Sequence, residues 1–275
     1  MQIGGVEGES YLFINGIEVP RPLRIGDWIE LLPANFDHNL ESILEVAGNE
    51  LSLGVMAIFL HQIKSQLKIT ERDPKIHAVL AWNSTWDVLL LGAIFDCETG
   101  CNFQSRLPIE SFGRESNLHI TNYHLRGLTR EIRKLSSEEA DWVEANFEKA
   151  RQLLTIPEFK NAIHCMATYR WHAHPRARLA LLWSGIEGLF KIESEIVFRL
   201  SLYIANYLEP DDQKKRRDLF ANVKNLYKHR SAAVHGSKIR NDAYSEVEKS
   251  ASLLNRLILS CVDTGGIPCI EKLAP

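Results

Sequence analysis

The chain has 275 residues, of which 45% are hydrophobic and 24% are charged, and its formal net charge at pH 7 is −3. This composition is typical of a globular protein with one large domain or two ordinary ones. The slightly negative charge excludes a general attraction to nucleic acid, so any such affinity needs a local basic patch. The most apolar stretches, Leu53–Leu60 and Val88–Phe95, are much shorter than the roughly 20 residues that span a membrane, so no membrane partner is expected.

The cysteines and the start of the chain favour a cytoplasmic location. Five cysteines form an odd and scattered set, which does not suit a disulfide framework. The first residues lack the basic start and apolar core of a secretory signal.

Residues 1–35 have the pattern of strands and turns. The apolar run Tyr11–Ile14 leads into Asn15-Gly16, a dipeptide favoured in tight hairpins, and Ile17–Val19 predicts the returning strand. Residues 27–32 alternate in polarity before Pro33, which predicts another strand.

The next hundred residues predict a mixture of helix and strand. A helix is expected over 51–69, because apolar residues recur there every four positions, at Val55, Phe59, Ile63 and Leu67. The run 82–95 fits a buried helix or a buried strand, and Ser84 and Thr85 as possible N-caps favour a helix. Short strands are expected at 103–112 and 118–125. Residues 1–135 are therefore predicted to form a mixed α+β domain of unknown role.

From residue 136 onwards the pattern is helical. Ser136 and Thr155 are each followed three residues later by a glutamate, which predicts reciprocal capping at two helix starts. Pro157 and Pro175 suit the first turn of a helix, and Gly265 suits a helix end. Helices are expected near 137–153, 157–170, 175–192, 195–208, 212–229 and 242–262. The predicted fold class is thus α+β and predominantly α, with a helical domain over 136–275.

The segment 227–236 holds the most informative residues of the chain. Arg230 always carries a charge and can bind phosphate oxygens in a bidentate way, while His235 can accept and donate a proton near neutral pH. On a continuous helix, residues five apart point in directions about 140° apart. The two side chains can therefore meet one phosphate only at a helix junction or across two copies of the chain. Ser231 as an N-cap and Gly236 as an exit favour a junction. The alternative is a salt bridge at Arg230 and a helix cap at His235.

A local excess of positive charge surrounds this segment. Residues 211–240 hold nine basic and three acidic side chains, a local charge of +6. Such a strip can attract an RNA backbone, although a solvated helix face is the alternative. The basic residues are Lys214, Lys215, Arg216, Arg217, Lys224, Lys228, Arg230, Lys238 and Arg240.

The apolar helix Leu179–Phe190, followed by Leu226–Gly236 with its Arg-x4-His spacing, resembles the Apea-like branch of the HEPN superfamily over residues 155–262. The resemblance implies a helical bundle that forms a homodimer, with Arg230 and His235 as the catalytic pair at the dimer cleft. It also implies that Glu187 orients Arg230. The supporting or RNA-binding residues would be Tyr227, Lys228, His229 and Ser231, although Ser231 departs from the larger polar residue common in the superfamily.

Relatives of this kind imply a metal-independent endoribonuclease in a defence or toxin–antitoxin setting, with RNA as substrate and an antitoxin or regulatory protein as a possible partner. His235 would take the proton of a ribose 2′-hydroxyl, and Arg230 would bind the non-bridging oxygens of the phosphate. A non-catalytic HEPN module that binds RNA, a nucleotide or a protein is the second interpretation of the same residues. A third is a sensor whose N-terminal part controls the bundle.

Other motifs do not lead to a metal or a cofactor, so none is expected. Cys97 and Cys101 would need two further ligands to hold zinc, and no second close pair exists. His172 and His174 are interpreted as helix-entry residues, and Gly185 as a site of close helix packing. Five tryptophans are expected in the core: Trp82, Trp86, Trp142, Trp171 and Trp183.

Overall fold

The computed structural model describes residues 3–122, 131–192, 194–234 and 242–274. The chain is α+β and mainly helical, and it divides into two compact units, Met1–Glu148 and Lys149–Pro275. The border between the units lies inside a helix, Ser137–Leu153.

The first unit is built on a six-stranded sheet in which all neighbouring strands are antiparallel. Its spatial order is β3-β4-β5-β1-β6-β7, and a separate parallel pair joins β2 to β8. The strands are β1 (Gly8–Asn15), β2 (Ile17–Glu18), β3 (Leu23–Arg24), β4 (Ile29–Pro33), β5 (Ile63–Glu71), β6 (Gly100–Ser105), β7 (His119–Ile120) and β8 (Arg133–Lys134).

Three helices accompany the sheet. Helices α1 (Leu40–Val46) and α2 (Glu50–Phe59) share a core with Tyr11 and Phe13 of β1, whereas α3 (Pro74–Ile94) packs on β1, β5 and β6. Strand β1 is buried from Ser10 to Asn15, which explains why its sequence is a continuous apolar run rather than an alternating one.

The hairpin expected at Asn15-Gly16 is wrong. Strand β1 pairs with β5 and β6, while β2 pairs with β8 more than 100 residues later. Gly16 has a different role: a Cβ there would lie 1.7 Å from the carbonyl oxygen of Glu98. The glycine is required by a close approach of two backbones, not by a tight turn.

The helix expected over 51–69 is correct only in its first half. Helix α2 ends at Phe59, a short 3-10 turn covers Leu60–Gln62, and β5 begins at Ile63. A spacing of four residues is also twice the two-residue period of a strand, so the buried Ile63 and Leu67 fit both patterns.

The helix expected near 82–95 is confirmed, but its start is not at Ser84 or Thr85. Helix α3 begins at Pro74, and its N-cap is Asp73, whose carboxylate accepts from Lys75 N and Ile76 N. The strand expected at 103–112 ends at Ser105, and of the one expected at 118–125 only His119–Ile120 is a strand among the described residues.

The six expected C-terminal helices are confirmed, and their ends agree within two residues except at one point. Helix α8 continues to Val234, five residues beyond the expected end at 229. The helices are α4 (Ser137–Leu153), α5 (Pro157–Thr168), α6 (Pro175–Phe190), α7 (Ile196–Leu208), α8 (Gln213–Val234), α9 (Ala243–Thr264) and the short α10 (Ile270–Leu273).

Helix α6 is the central helix of the second unit and contacts α5, α8 and α9. Its Trp183 is fully buried and donates from Nε1 to Ser250 Oγ at 3.1 Å. The expected close packing at Gly185 is confirmed, since a Cβ there would lie 3.0 Å from both Cys165 Cβ and Leu254 Cδ2. Trp82 and Trp171, by contrast, are exposed, so their expected place in the core is wrong.

Within the part of the chain that the structure describes, no helix is both long and apolar enough to cross a membrane.

Candidate functional site

Arg230 lies within helix α8, four residues before the last described residue of that helix, Val234. Helix α8 is regular through Val234, so Ser231 is a half-buried helical residue and the N-cap expected there is wrong. His235 and Gly236 lie outside the described residues. The structure therefore describes one half of the predicted pair, at the C-terminal end of α8.

The guanidinium of Arg230 faces the carboxylate of Glu187 on α6. Arg230 Nη2 donates to Glu187 Oε2 at 3.1 Å, and Arg230 Nε lies 3.0 Å from Glu187 Oε1. The second contact is ionic, because its angle does not suit a hydrogen bond. The side chains are 22% and 26% exposed, so the pair is neither buried nor fully solvated. The contact expected between Glu187 and Arg230 is thus present.

The aromatic ring of Tyr227 packs against this ion pair. The Tyr227 ring is nearly buried and meets the Trp183 ring edge-on, with a distance of 5.3 Å between the ring centroids. Arg230 Cζ lies 5.4 Å from the centroid of the Tyr227 ring. Burial raises the pKa of Tyr227, and the nearby Glu187 raises it further, while Arg230 opposes the shift. The hydroxyl therefore stays protonated near neutral pH, and the ring acts as a packing surface for Arg230.

Glu187 is held in a partly desolvated place. Burial raises the pKa of this carboxyl, and the charge and hydrogen bond of Arg230 oppose the rise. A carboxylate that is desolvated and paired with one cation keeps that cation in a defined orientation. The Arg230 Nη1 group has no hydrogen-bond partner among the described residues.

His229 and Lys228 lie on other sides of α8. His229 is nearly buried, and its Nε2 lies 3.8 Å from Glu246 Oε2 of α9, a carboxylate that also accepts from Lys249 Nζ at 2.9 Å. Lys228 is exposed. Glu246 was not predicted as a site residue, although its spacing with Ser250, Leu253 and Leu257 places it on the buried side of α9.

The basic residues of α8 form an exposed stripe that does not include Arg230. With about 3.6 residues per turn, Lys214, Arg217, Lys224 and Lys228 lie on one side of the helix, and all four are exposed. Arg230 lies on the opposite side, facing α6. We call these four residues the basic stripe; Lys238 and Arg240 lie outside the described residues.

Two other basic residues of the predicted strip have local partners. Lys215 Nζ lies 3.8 Å from Asp212 Oδ2. Arg216 donates to the carbonyl of Glu209 at 2.9 Å and to that of Pro210. These contacts connect the start of α8 to the residues before it, although the side chain of Lys215 is itself exposed.

A further arginine, missed in the sequence, contacts the end of α8. Arg176 in the first turn of α6 donates from Nη1 to the carbonyl oxygens of Ala232 and Ala233 at 2.9 and 3.1 Å. No local sequence signal connects residues that lie so far apart along the chain. His174, as expected for a helix-entry residue, caps α6 by accepting from Arg176 N at 3.2 Å.

The described cysteines and histidines do not gather into a metal site. Among the residues that the structure places, no group of three or more histidine, cysteine or acidic side chains could hold a metal ion. Burial raises the pKa of Cys101 to about 12, and of Cys165 and Cys261 to about 11, so these thiols stay protonated at neutral pH.

Comparison of the chain with protein-family models, with curated proteins and with solved structures found no match.

Proposed function

We propose that this chain is a metal-independent endoribonuclease of HEPN type, in which Arg230 and His235 cleave an RNA phosphodiester at the end of α8. The observation that carries the proposal is the Glu187–Arg230 pair. It fixes a cation that cannot lose its charge five residues before a histidine, and the Nη1 group of that cation has no partner among the described residues.

The chemistry follows from these two groups. His235 removes the proton from a ribose 2′-hydroxyl, the oxygen attacks the adjacent phosphorus, and the 5′-oxygen leaves with a proton donated by a second His235 from a partner copy. Arg230 binds the non-bridging oxygens, on which negative charge accumulates. The products are a 2′,3′-cyclic phosphate and a 5′-hydroxyl, and every step uses protein groups alone.

The basic stripe supports RNA as the substrate. Its four cations are exposed on one side of α8 and can bind successive phosphates of a single strand. Because the stripe and Arg230 lie on opposite sides of the helix, the strand would have to pass over the end of α8 to reach both. The same geometry suits a homodimer, in which the stripe of one copy guides RNA to the Arg230 of the other.

The test is an RNA cleavage assay with an end-labelled single strand and EDTA present. We expect the parent protein to cut and to leave 2′,3′-cyclic phosphate ends. His235→Ala should cut at least about 100-fold more slowly, because general acid–base catalysis contributes about 10²–10⁴-fold. Arg230→Ala should also cut at least about 100-fold more slowly, because removing one group that stabilises transition-state charge costs about 10²–10³-fold. His119→Ala, which removes an exposed histidine of the first unit, is the control and should cut like the parent.

Two results would contradict the proposal. Loss of activity in EDTA would indicate a metal-dependent reaction, and full activity of His235→Ala would remove the proposed base. If the parent binds RNA in a filter assay but never cuts it, the non-catalytic HEPN module is the correct interpretation.

A further inference from the structure

Phe198 of α7 is a large aromatic residue that is open to solvent. It is 54% exposed, although its ring meets the half-buried ring of Phe220 on α8 edge-on, with a distance of 5.8 Å between the ring centroids. Phe220 thus supports the Phe198 ring while about half of Phe198 stays accessible. A single exposed apolar residue is common on protein surfaces, so its surroundings decide whether it has a role.

Two cations of the basic stripe lie beside this aromatic pair. Arg217 precedes Phe220 by three residues and Lys224 follows it by four, so the three side chains are neighbours on one side of α8. Lys224 Nζ lies 6.0 Å from the centroid of the Phe220 ring. Both cations are exposed, and neither forms an ion pair within the described part of the chain. The aromatic pair and the basic stripe therefore form one surface.

This combination suits a negatively charged chain that also carries flat aromatic groups. Proteins that bind single-stranded nucleic acid combine positive charge along the backbone path with aromatic side chains on which unpaired bases stack. From Lys214 to Lys228 the stripe extends about 21 Å along α8, which is long enough to contact several phosphates. An apolar protein partner fits less well, because Phe198 is the only large hydrophobic residue exposed among the described side chains of α7 and α8.

We propose that Phe198 is a base-stacking site for single-stranded RNA, and that Arg217 and Lys224 bind phosphates beside the stacked base. The stripe alone attracts any nucleic acid, because contacts to phosphates carry no sequence information. Phe198 adds a preference for unpaired bases, since the bases of a duplex already stack on one another. This inference rests on the proposed function for RNA as the ligand, but it concerns binding, which is measured without cleavage.

Substitutions of the full chain separate stacking from apolar contact. The probe is a 2′-O-methyl oligoadenylate with one fluorescent 2-aminopurine, which has no 2′-hydroxyl and so cannot be cut by the proposed reaction. Phe198→Leu keeps an apolar side chain but removes the aromatic face, and Phe198→Trp keeps an aromatic face. Tyr244→Leu is the matched control, because Tyr244 is an aromatic residue of α9 in the same unit and is 56% exposed.

We expect Phe198→Leu to raise the Kd of the probe about 5- to 100-fold, the usual effect of losing one base–aromatic stack. Phe198→Trp and Tyr244→Leu should each bind within about twofold of the parent, because both keep an aromatic face at position 198. The slope of log affinity against log salt should be the same in Phe198→Leu as in the parent, since no charge is removed. Binding of a duplex of the same length should not change. Thermal unfolding of each variant checks that it is folded at the assay temperature.

Four results would overturn the inference. The first is a parent that does not bind the probe, and the second is a Phe198→Leu variant that binds it as tightly as the parent. The third is an equal loss of affinity for the duplex, which would mean that Phe198 does not recognise unpaired bases. The fourth is a parent dimer that becomes a monomer in Phe198→Leu during sedimentation, which would make Phe198 a contact between protein chains.

The inference and the proposed function can fail separately. If the parent cuts RNA but Phe198→Leu binds the probe equally well, the stacking site is wrong and the proposed function stands. If the parent binds the probe through Phe198 but never cuts RNA, the proposed function is wrong and the stacking site stands.

Discussion

At the scale of single residues, the pair Glu187–Arg230 is the most informative contact of the chain. The resemblance noted in the sequence implies that Glu187 orients Arg230, and the structure brings the two side chains within hydrogen-bond distance. The pair is partly exposed, so solvent screens part of its interaction energy. The main effect of the pair is to orient Arg230, which is held between Glu187 and the ring of Tyr227.

A double-mutant cycle measures this pair. Glu187→Ala and Arg230→Ala should each lower the free energy of unfolding, and the double variant should lose less than the sum of the two. We expect a coupling free energy of about 1 kcal/mol between the two substitutions. Residues in direct contact have non-additive effects on stability, and partial exposure of the ion pair reduces the size of that non-additivity. Urea unfolding at neutral pH gives the four values. Strictly additive losses would show that the pair makes no net contribution to stability.

His77 gives a pH-dependent prediction in the first unit. This histidine of α3 is fully buried. Burial lowers its pKa, although the backbone of Ile69 and the charge of Glu71 oppose the shift. The unfolded chain therefore takes up the proton more readily than the folded one, and stability is lost as the pH falls below the ordinary histidine value of about 6.5.

We therefore expect His77→Met to reduce the loss of unfolding free energy between pH 7.5 and pH 5.5. His119→Gln, at an exposed site of the same unit, should keep the parent's loss. The measurement is urea unfolding at both pH values. An equal loss in the parent and in His77→Met would mean that His77 is not kept neutral by the fold.

At the scale of elements, two similar sequence patterns have different outcomes. Ser136 forms the predicted capping box: Glu139 N donates to Ser136 Oγ at 3.2 Å, and Ser136 N donates to Glu139 Oε2 at 2.9 Å. Thr155 does not cap α5, so that prediction is wrong. Its hydroxyl donates to Gln152 O at 2.8 Å, and the N-cap is Ile156, without a side-chain bond. Helix α4 ends at Leu153, so close to Thr155 that the last carbonyls of α4 compete for the Thr155 hydroxyl.

The two positions make a matched pair for mutation. Ser136→Ala should lower the free energy of unfolding by about 1 kcal/mol, the usual effect of losing a helix N-cap. Thr155→Ala should change it by less than about 0.5 kcal/mol, as for a surface substitution without a capping role. Thermal or urea unfolding compares the variants. Equal losses at the two sites would contradict the capping assignment.

At the scale of the whole molecule, charge is distributed unevenly. The chain has a net charge of −3, yet α8 presents four exposed cations on one side. Association with RNA should therefore depend on this stripe and on ionic strength, not on the overall charge. The stripe is close in sequence to Arg230 but lies on the other side of the helix.

Neutralising part of the stripe should change the salt dependence of RNA binding. Lys224→Gln combined with Lys228→Gln should weaken binding of a single strand. The slope of log affinity against log salt should become shallower by about 0.7 for each phosphate that the double variant no longer binds. Lys75→Gln, at an exposed site of the first unit, should leave the slope unchanged. A slope unaffected by the double variant would show that RNA does not use the stripe.

The sequence by itself determined the helices after residue 136, most of their ends and the identity of the residue pair to test. The backbone hydrogen bonds of a helix join residues only four apart. Capping residues, prolines and apolar spacing therefore indicate helices from the local sequence. Only the tertiary structure decided how β1 and β2 pair, that Arg230 faces α6, and that Arg176 binds the backbone near the end of α8. Those facts depend on contacts between residues that are distant along the chain, and such contacts leave no local pattern in the sequence.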